Sequence, residues 1–446
     1  MPEHLQLSSG VIYGLLGAVV VVAVLVFLSK VPLKYNVRNL FVRWPITLLT
    51  GLAFTLVVGL LTVMLAFVNG MSHLTEGSGQ PGNVMILSDG ATDELFSNLA
   101  YSDTGNVDRQ PGVLADEEGK PLCSREVYIV VNQPIPSEEG KSNRRRFVQV
   151  RGIDDALISA RVHALELFPG GKWFSEAGVE ELPGSAGGKN GEQAIQCVLG
   201  EGVARILGQD KGKDRLDVGD TFELGPRKWV VTGVMKSEGS TFGSEVWAKR
   251  SLVGPMFGKD QITCLVARAA DAKGAQDLAD DLSKNFKPAV RAEPEKVYYS
   301  KLGETSNQFL VAVVFIAVIM AIGGMFGVMN TMFAAISQRT KDIGVLRIIG
   351  FARRQILLSF FLETLVIALV GGLVGCAIGY FVADGRTASS IVSSGQGGGG
   401  KTVVLKMIVD ANTLGWGILF TLSMGALGGL LPALSAMRLR PLESLR

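Results

Sequence analysis

The chain has 446 residues, 48% of them apolar and 19% charged, with 55 glycines and a formal net charge of +2. Its mean hydropathy of +0.32 excludes an ordinary soluble protein, and its charged fraction excludes one that lies wholly in lipid. Membrane spans plus a sizeable aqueous domain satisfy both limits. The near-neutral balance, with basic residues placed beside apolar runs, offers no surface to nucleic acid.

Val11–Leu28 is an unbroken uncharged apolar run. Lys30 and Lys34 follow it, whereas a cleaved signal peptide carries its basic residues before the run. The flanks therefore predict a retained N-terminal helix over residues 1–30, with its N-terminus outside. Lys30–Trp44 holds Lys30, Lys34, Arg38 and Arg43 without an acid. Leu33, Val37, Leu40 and Phe41 give it an apolar face, so it reads as an elbow helix on the cytoplasmic surface or as a plain basic anchor. Pro45 opens the next span, Ile46–Val68, where a missing N–H is tolerated. Residues 31–70 thus hold the elbow and the first core span.

From about Met71 to Ser300 short alternating runs replace the apolar stretches. Val127–Val131, Phe147–Val150, Ile195–Leu199, Thr221–Leu224, Trp229–Val234 and Ile262–Ala267 predict strands, and Ile153–Leu167 and Ala272–Phe286 predict helices. Residues 71–300 are expected to form one α/β (α+β) domain, in one lobe or two, extracytoplasmic because the preceding span runs outward.

Residues 301–446 hold three further spans: Phe309–Ile336, Ile356–Ala383 and Thr413–Met437. A 28-residue helix reaches roughly 42 Å at about 1.5 Å per residue, past a ~30 Å hydrocarbon core, so the excess can project as a stalk. Asp384–Asp410 reads as an outer loop. The predicted fold class is a multi-pass α-helical membrane protein, with four core transmembrane helices and one extra N-terminal helix. Its large extracytoplasmic domain lies between core spans 1 and 2.

Between the second and third core spans lies Gln338–Arg354, QRTKDIGVLRIIGFARR. Arg339, Lys341, Arg347, Arg353 and Arg354 face one acid, Asp342, and a short basic segment beside apolar spans belongs on the cytoplasmic side. Ile343, Leu346, Ile349 and Ile356 recur at helical spacing. A mere connector needs no such stripe, so this one is expected to dock a cytoplasmic partner.

Small residues recur at four-residue spacing in Gly323 and Gly327, in Gly371, Gly375 and Gly379, and in Gly425 and Gly429. They permit close helix packing within one subunit or between two. Glu363 lies deep in a span, and such an acid is either functional or held by a structural ion pair with a group at the cytoplasmic end.

Gly395–Thr402 matches the G-x-x-x-x-G-K-[ST] pattern. That chemistry needs a strand before the loop and a helix after it. Here the lead-in is polar and Val403–Leu405 reads as strand, which makes the run a flexible glycine loop. Cys123, Cys197 and Cys264 in the aqueous region and Cys376 in a span make no disulfide framework: free apolar residues, or at most one bridge. His4, His73 and His163 lack metal-ligand spacing and read as surface residues. Adjacent carboxylates such as Asp154-Asp155, Glu180-Glu181 and Asp280-Asp281 point apart. No catalytic, cofactor or metal site is expected, and the chain is expected not to be an enzyme.

These segments resemble the MacB/FtsX-type permeases of ABC transporters. The resemblance rests on QRTKDIGVLRIIGFARRQILLSFFLE, through Arg339, Asp342, Ile343, Gly344, Arg347, Gly350, Phe360 and Glu363, with Asp342 where Glu is commoner. The ending GGLLPALSAMRLRPLESLR adds Pro432, Ala433, Ala436, Pro441, Leu445 and Arg446, and LDVGDTFELGPRKWVVTGVM followed by FGSEVWA resembles the family's periplasmic core domain. The resemblance implies a cell (inner) membrane permease subunit coupled through Arg339, Lys341, Asp342, Ile343, Gly344, Leu346, Arg347 and Gly350 to a separate ATPase, which binds the ATP. It further implies a homodimer or a heterodimer with a paralogous permease, in contact with lipid and with an extracytoplasmic substrate or adaptor protein. Export or extraction of a substrate is the leading expectation. The alternative is a mechanotransmission regulator of an extracytoplasmic partner such as a cell-wall hydrolase. The N-terminal helix is additional to the family's four spans, and no fused ATPase is expected.

Overall fold

The computed structural model describes residues 8, 11–17, 20, 42, 44–135, 145–182, 193–237, 239–302, 304–393 and 400–438. The elbow helix, the far half of the N-terminal helix, the start of the glycine run and the tail after Arg438 lie outside them. Two compact units result, one comprising 1–69, 308–386 and 407–446, the other 70–307 and 387–406.

The first unit is helical. Trp44–Thr75, Gln308–Gln338, Arg353–Ala383 and Ala411–Met437 are each long and apolar enough to cross a membrane. The helices containing the first two of these run to 33 and 35 residues, or about 50 Å against a ~30 Å hydrocarbon core. The third span is the hub. A Cβ at Gly375 would stand 2.7 Å from the Thr55 carbonyl, and one at Gly379 would stand 2.6 Å from Thr62 Cβ, so glycine lets the first span approach to backbone contact. Gly425 and Gly429 do the same for the fourth span against Ala368 and Thr364. Residues 11–17 are helical, with Val11 buried and Gly14 against Leu419.

The second unit is built on a ten-stranded sheet in the order β10-β1-β9-β2-β3-β8-β5-β7-β6, with β4 beside β5. The strands are β1 Asn83–Ser88, β2 Cys123–Pro134, β3 Arg145–Ile153, β4 Val179–Glu181, β5 Gln193–Gly200, β6 Thr221–Leu224, β7 Arg227–Met235, β8 Glu245–Lys249, β9 Cys264–Arg268 and β10 Val290–Pro294. All six expected strands are present. Pairings are antiparallel except β3 with β8 and β5 with β7.

Two apolar cores divide this unit. One gathers Val127, Val150, Leu199, Leu207 and Trp229, and the other gathers Val84, Ile86, Leu265, Leu278 and Leu282. The helix expected over 153–167 is shorter, Ala156–His163. Asp155 caps its start by accepting from the Leu157 and Ile158 N–H groups, and Ala164 ends it at a left-handed φ of 52°.

The segment expected as an outer loop contains two paired strands, β11 Thr387–Ser393 and β12 Gly400–Lys406. They belong to the sheet unit, where the Val404 N–H donates to Ser244 Oγ at 2.6 Å. Lys401 and Thr402 therefore sit in a strand, and no helix N-terminus follows the glycine run to meet a phosphate.

Candidate functional site

Thr340–Ile349 folds as a ten-residue connector helix between the second and third spans. Gly350 closes it at φ 111°, a left-handed conformation suited to glycine. The Phe351 N–H then reaches back to the Leu346 carbonyl at 3.1 Å. Within three residues the chain is reversed, and Arg353 starts the third span.

This reversal brings together Arg339 and Glu363, 24 residues apart. Nη1 donates to Oε2 at 2.7 Å and Nη2 to Oε1 at 2.9 Å, a bidentate fork. The guanidinium lies over Phe360, 5.6 Å from the ring centroid, and Phe360 and Glu363 share a helix face because they are three residues apart. Arg339 is 4% exposed and Glu363 5%. The deep acid is thus held by a partner at the end of the preceding span.

The expected docking residues divide into two groups. Arg339 and Ile343 face the helical bundle: Arg339 is held by Glu363, and Ile343 packs with Ile336, Ile356 and Phe360 in the helical core. Gly344 is buried as well, and Leu346 and Arg347 are half-buried. Lys341, Gly350, Arg353 and Arg354 are exposed. The outward apolar residues are Val345, Ile348 and Ile349 at 46%, 63% and 68% exposure. A stripe through Ile343, Leu346 and Ile349 therefore does not form, because the bundle takes one side of so short a helix.

The packing glycines divide too. Those of the third and fourth spans meet neighbours, as described, whereas a Cβ at Gly323 or Gly327 would meet nothing within 4 Å.

A second polar constellation was missed in the sequence. Arg151 is fully buried, with Nε and Nη2 on Glu245 at 2.6 and 2.8 Å, Nη2 on Glu94 at 2.9 Å, and Nη1 on Glu126. His163, expected at the surface, is buried instead, with Nε2 2.6 Å from Glu126 and Nδ1 3.2 Å from Glu295. Burial alone would lower its pKa, but the charge of Glu126 and the hydrogen bond to it, with the Glu295 carboxylate close by, outweigh this and push it up to about 10. Burial would likewise raise Glu126, yet His163 and Arg151 hold it far below the usual carboxylate range. The available signal was a charge at inward positions of otherwise apolar strands: Glu126 in REVYIVV, Arg151 in VQVRGI and Glu245 in SEVWA. Cys123, Cys197, Cys264 and Cys376 are free and buried.

The sequence profile of the MacB-like periplasmic core domain matches residues 47–285, more than half of the chain, and that of the FtsX-like permease C-terminal matches 314–441. The chain belongs to the MacB/FtsX-type ABC transporter permeases. It is 27% identical over 410 residues to the macrolide export ATP-binding/permease protein MacB of Bdellovibrio bacteriovorus, covering 85% of this chain and 57% of that protein. The uncharacterized ABC transporter permease YknZ of Bacillus subtilis is 27% identical over 261 residues, which are 54% of this chain and 61% of YknZ. This permease spans little more than half the length of these relatives. The crystallised periplasmic region of MacB from Actinobacillus actinomycetemcomitans matches 51% of the chain and 94% of its own length, at 15% identity and a TM-score of 0.33. The permease is a membrane protein with an extracytoplasmic domain.

Proposed function

We propose that this permease is driven by a separate cytoplasmic ABC ATPase docked on the connector helix, and that ATP-driven movement passes into the extracytoplasmic domain to export or extract a substrate. The observation that carries this reading is the two-sided connector. Its outer edge of Val345, Ile348 and Ile349 stands beside Lys341, Arg353 and Arg354. Its inner edge is pinned by Ile343 and by the Arg339–Glu363 fork. Exposed apolar residues rimmed by cations suit a protein partner better than water. An anchored inner edge would pass force to two spans at once. Short basic segments beside apolar spans favour the cytoplasmic side, so in this reading the connector faces the cytoplasm from the cell (inner) membrane.

A second copy of the permease completes the assembly. Only 11% of the second span's most apolar stretch is buried within the chain, against 39–44% for the other three. Gly323 and Gly327 lie bare on it, and Asn330 is exposed on the same face, seven residues after Gly323. Small residues and an amide are the means by which helices pair in lipid.

Co-purification tests the docking surface. Ile348→Asp with Ile349→Asp is expected to abolish recovery of the ATPase with affinity-tagged permease while the permease itself still folds. Undiminished recovery would remove the connector from this role.

A further inference from the structure

We propose that Glu295 is a positioning residue that joins the two chain segments linking the sheet unit to the long first and second span helices, so that they move as one body. The mechanical use of this pin rests on the coupling proposed above; its existence as a joint does not.

The chain arrives in the sheet unit from the helix Trp44–Glu76 and leaves it through the helix Glu295–Leu302, directly before Glu304–Gln338. Glu295 opens the outgoing helix and is fully buried. Its Oε2 accepts from the backbone N–H of Gln80 at 2.8 Å and from Asn83 Nδ2 at 2.8 Å, both on the incoming segment. Asn83 Nδ2 also donates to the Val162 carbonyl at 2.8 Å. The other carboxylate oxygen faces His163 Nδ1. From His163 the contacts run to Glu126 on β2, from Glu126 to Arg151 on β3, and from Arg151 to Glu245 on β8 and Glu94. One carboxylate thus binds incoming chain, outgoing chain and the central strands.

Tyr298 and Tyr299 of the outgoing helix are buried, and Tyr299 meets Phe242 edge to face with ring centroids 6.1 Å apart. The β1–β10 ladder, which ends at Val84 and Pro294, and Tyr299 against Gly79 already set the incoming and outgoing chain side by side. Neither accepts from the Gln80 N–H or the Asn83 amide, which is what Glu295 adds. Buried ion pairs are poor sources of net stability compared with apolar packing. A network of two cationic side chains and four carboxyls, all fully buried, is better explained by fixing geometry than by adding stability.

The test is hydrogen exchange on the full-length permease in lipid nanodiscs, without nucleotide or partner. In the wild type, the amides of Gln80, Gly82 and Asn83 and those of 295–302 are expected to open together at one rate. Glu295→Ala leaves the Gln80 N–H without an acceptor and the Asn83 amide with only the Val162 carbonyl, so both segments should exchange roughly tenfold faster and at separate rates. The β5 and β7 amides should stay unchanged. Glu295→Gln, which keeps an acceptor oxygen, should restore joint opening of the two segments. Unchanged rates would overturn the proposal, and so would an equal loss of protection across the whole sheet unit in both variants. Because no ATPase takes part, failure here leaves the docking proposal standing, and loss of ATPase docking leaves this joint standing.

Discussion

Both units bury an arginine on glutamate, but in opposite ways. Among the described residues of the helical unit, Arg339 has one acid, Glu363, and one aromatic ring, Phe360. In the sheet unit Arg151 has three acids, a histidine one contact further on, and the rings of Tyr128, Phe242 and Trp247 within 5.2–5.8 Å. A lone pair has a single partner to lose and can be replaced as a unit. A network distributes its charge over strands, helices and loops, and no one substitution can neutralise what is left behind. The first is suited to a reversible anchor, the second to a rigid hub.

The largest expected effect follows from removing the hub. Arg151→Met strands buried carboxyls and should cost about 5 kcal/mol, enough to unfold the sheet unit. Limited proteolysis of the full permease would show that unit cleaved while the spans survive; an intact unit would dissolve the contrast. Glu363→Leu or Arg339→Leu should each cost about 3 kcal/mol, and the double substitution should recover most of the loss, because no unpaired charge remains. Thermal unfolding in bicelles measures this cycle, and strict additivity of the two losses would contradict it.

Acidity separates the two sites further. His163 binds its proton more tightly folded, up to about 10, than its ordinary 6.5. Its stabilisation is therefore fully present below about pH 6.5 and is lost as the pH rises through about 10. His163→Gln should flatten the fall in melting temperature between pH 7 and 10, and an unaltered slope would show that the pair contributes little. Smaller still is the contrast between glycines. Gly375→Val would press on Thr55 and Val58 and cost about 1–3 kcal/mol. Gly327→Val should leave the monomer's stability within about 0.5 kcal/mol while lowering the dimer fraction in detergent, read by light scattering.

Much of this was legible in the chain. Apolar runs announced the spans, and alternation announced β2, β3, β5, β6, β7 and β9. β10 escaped because VRAEP carries too little apolar content, and β8 because the charges of Glu245 and Lys249 leave only three apolar residues between them. Glu363 was visible as an acid in lipid, but its partner depended on a turn at Gly350 that periodicity does not encode. The facing of the connector was misjudged for a related reason. A ten-residue helix has fewer than three turns, and which side becomes buried is decided by Ile336, Ile356 and Phe360 rather than by its own repeat. The Arg151 network draws on residues from Asn83 to Glu295 and could be sensed only as charges at inward strand positions.

The central claim is that the outer edge of the connector seats an ATPase. A photo-reactive amino acid placed at Ile348 in living cells tests it directly, with Val218, exposed on the sheet unit, as the control position. The account predicts a cross-link from 348 to a polypeptide whose peptides carry a Walker A motif and an ABC signature, and none from 218. Cross-links from 348 to lipid or to the permease alone would contradict it.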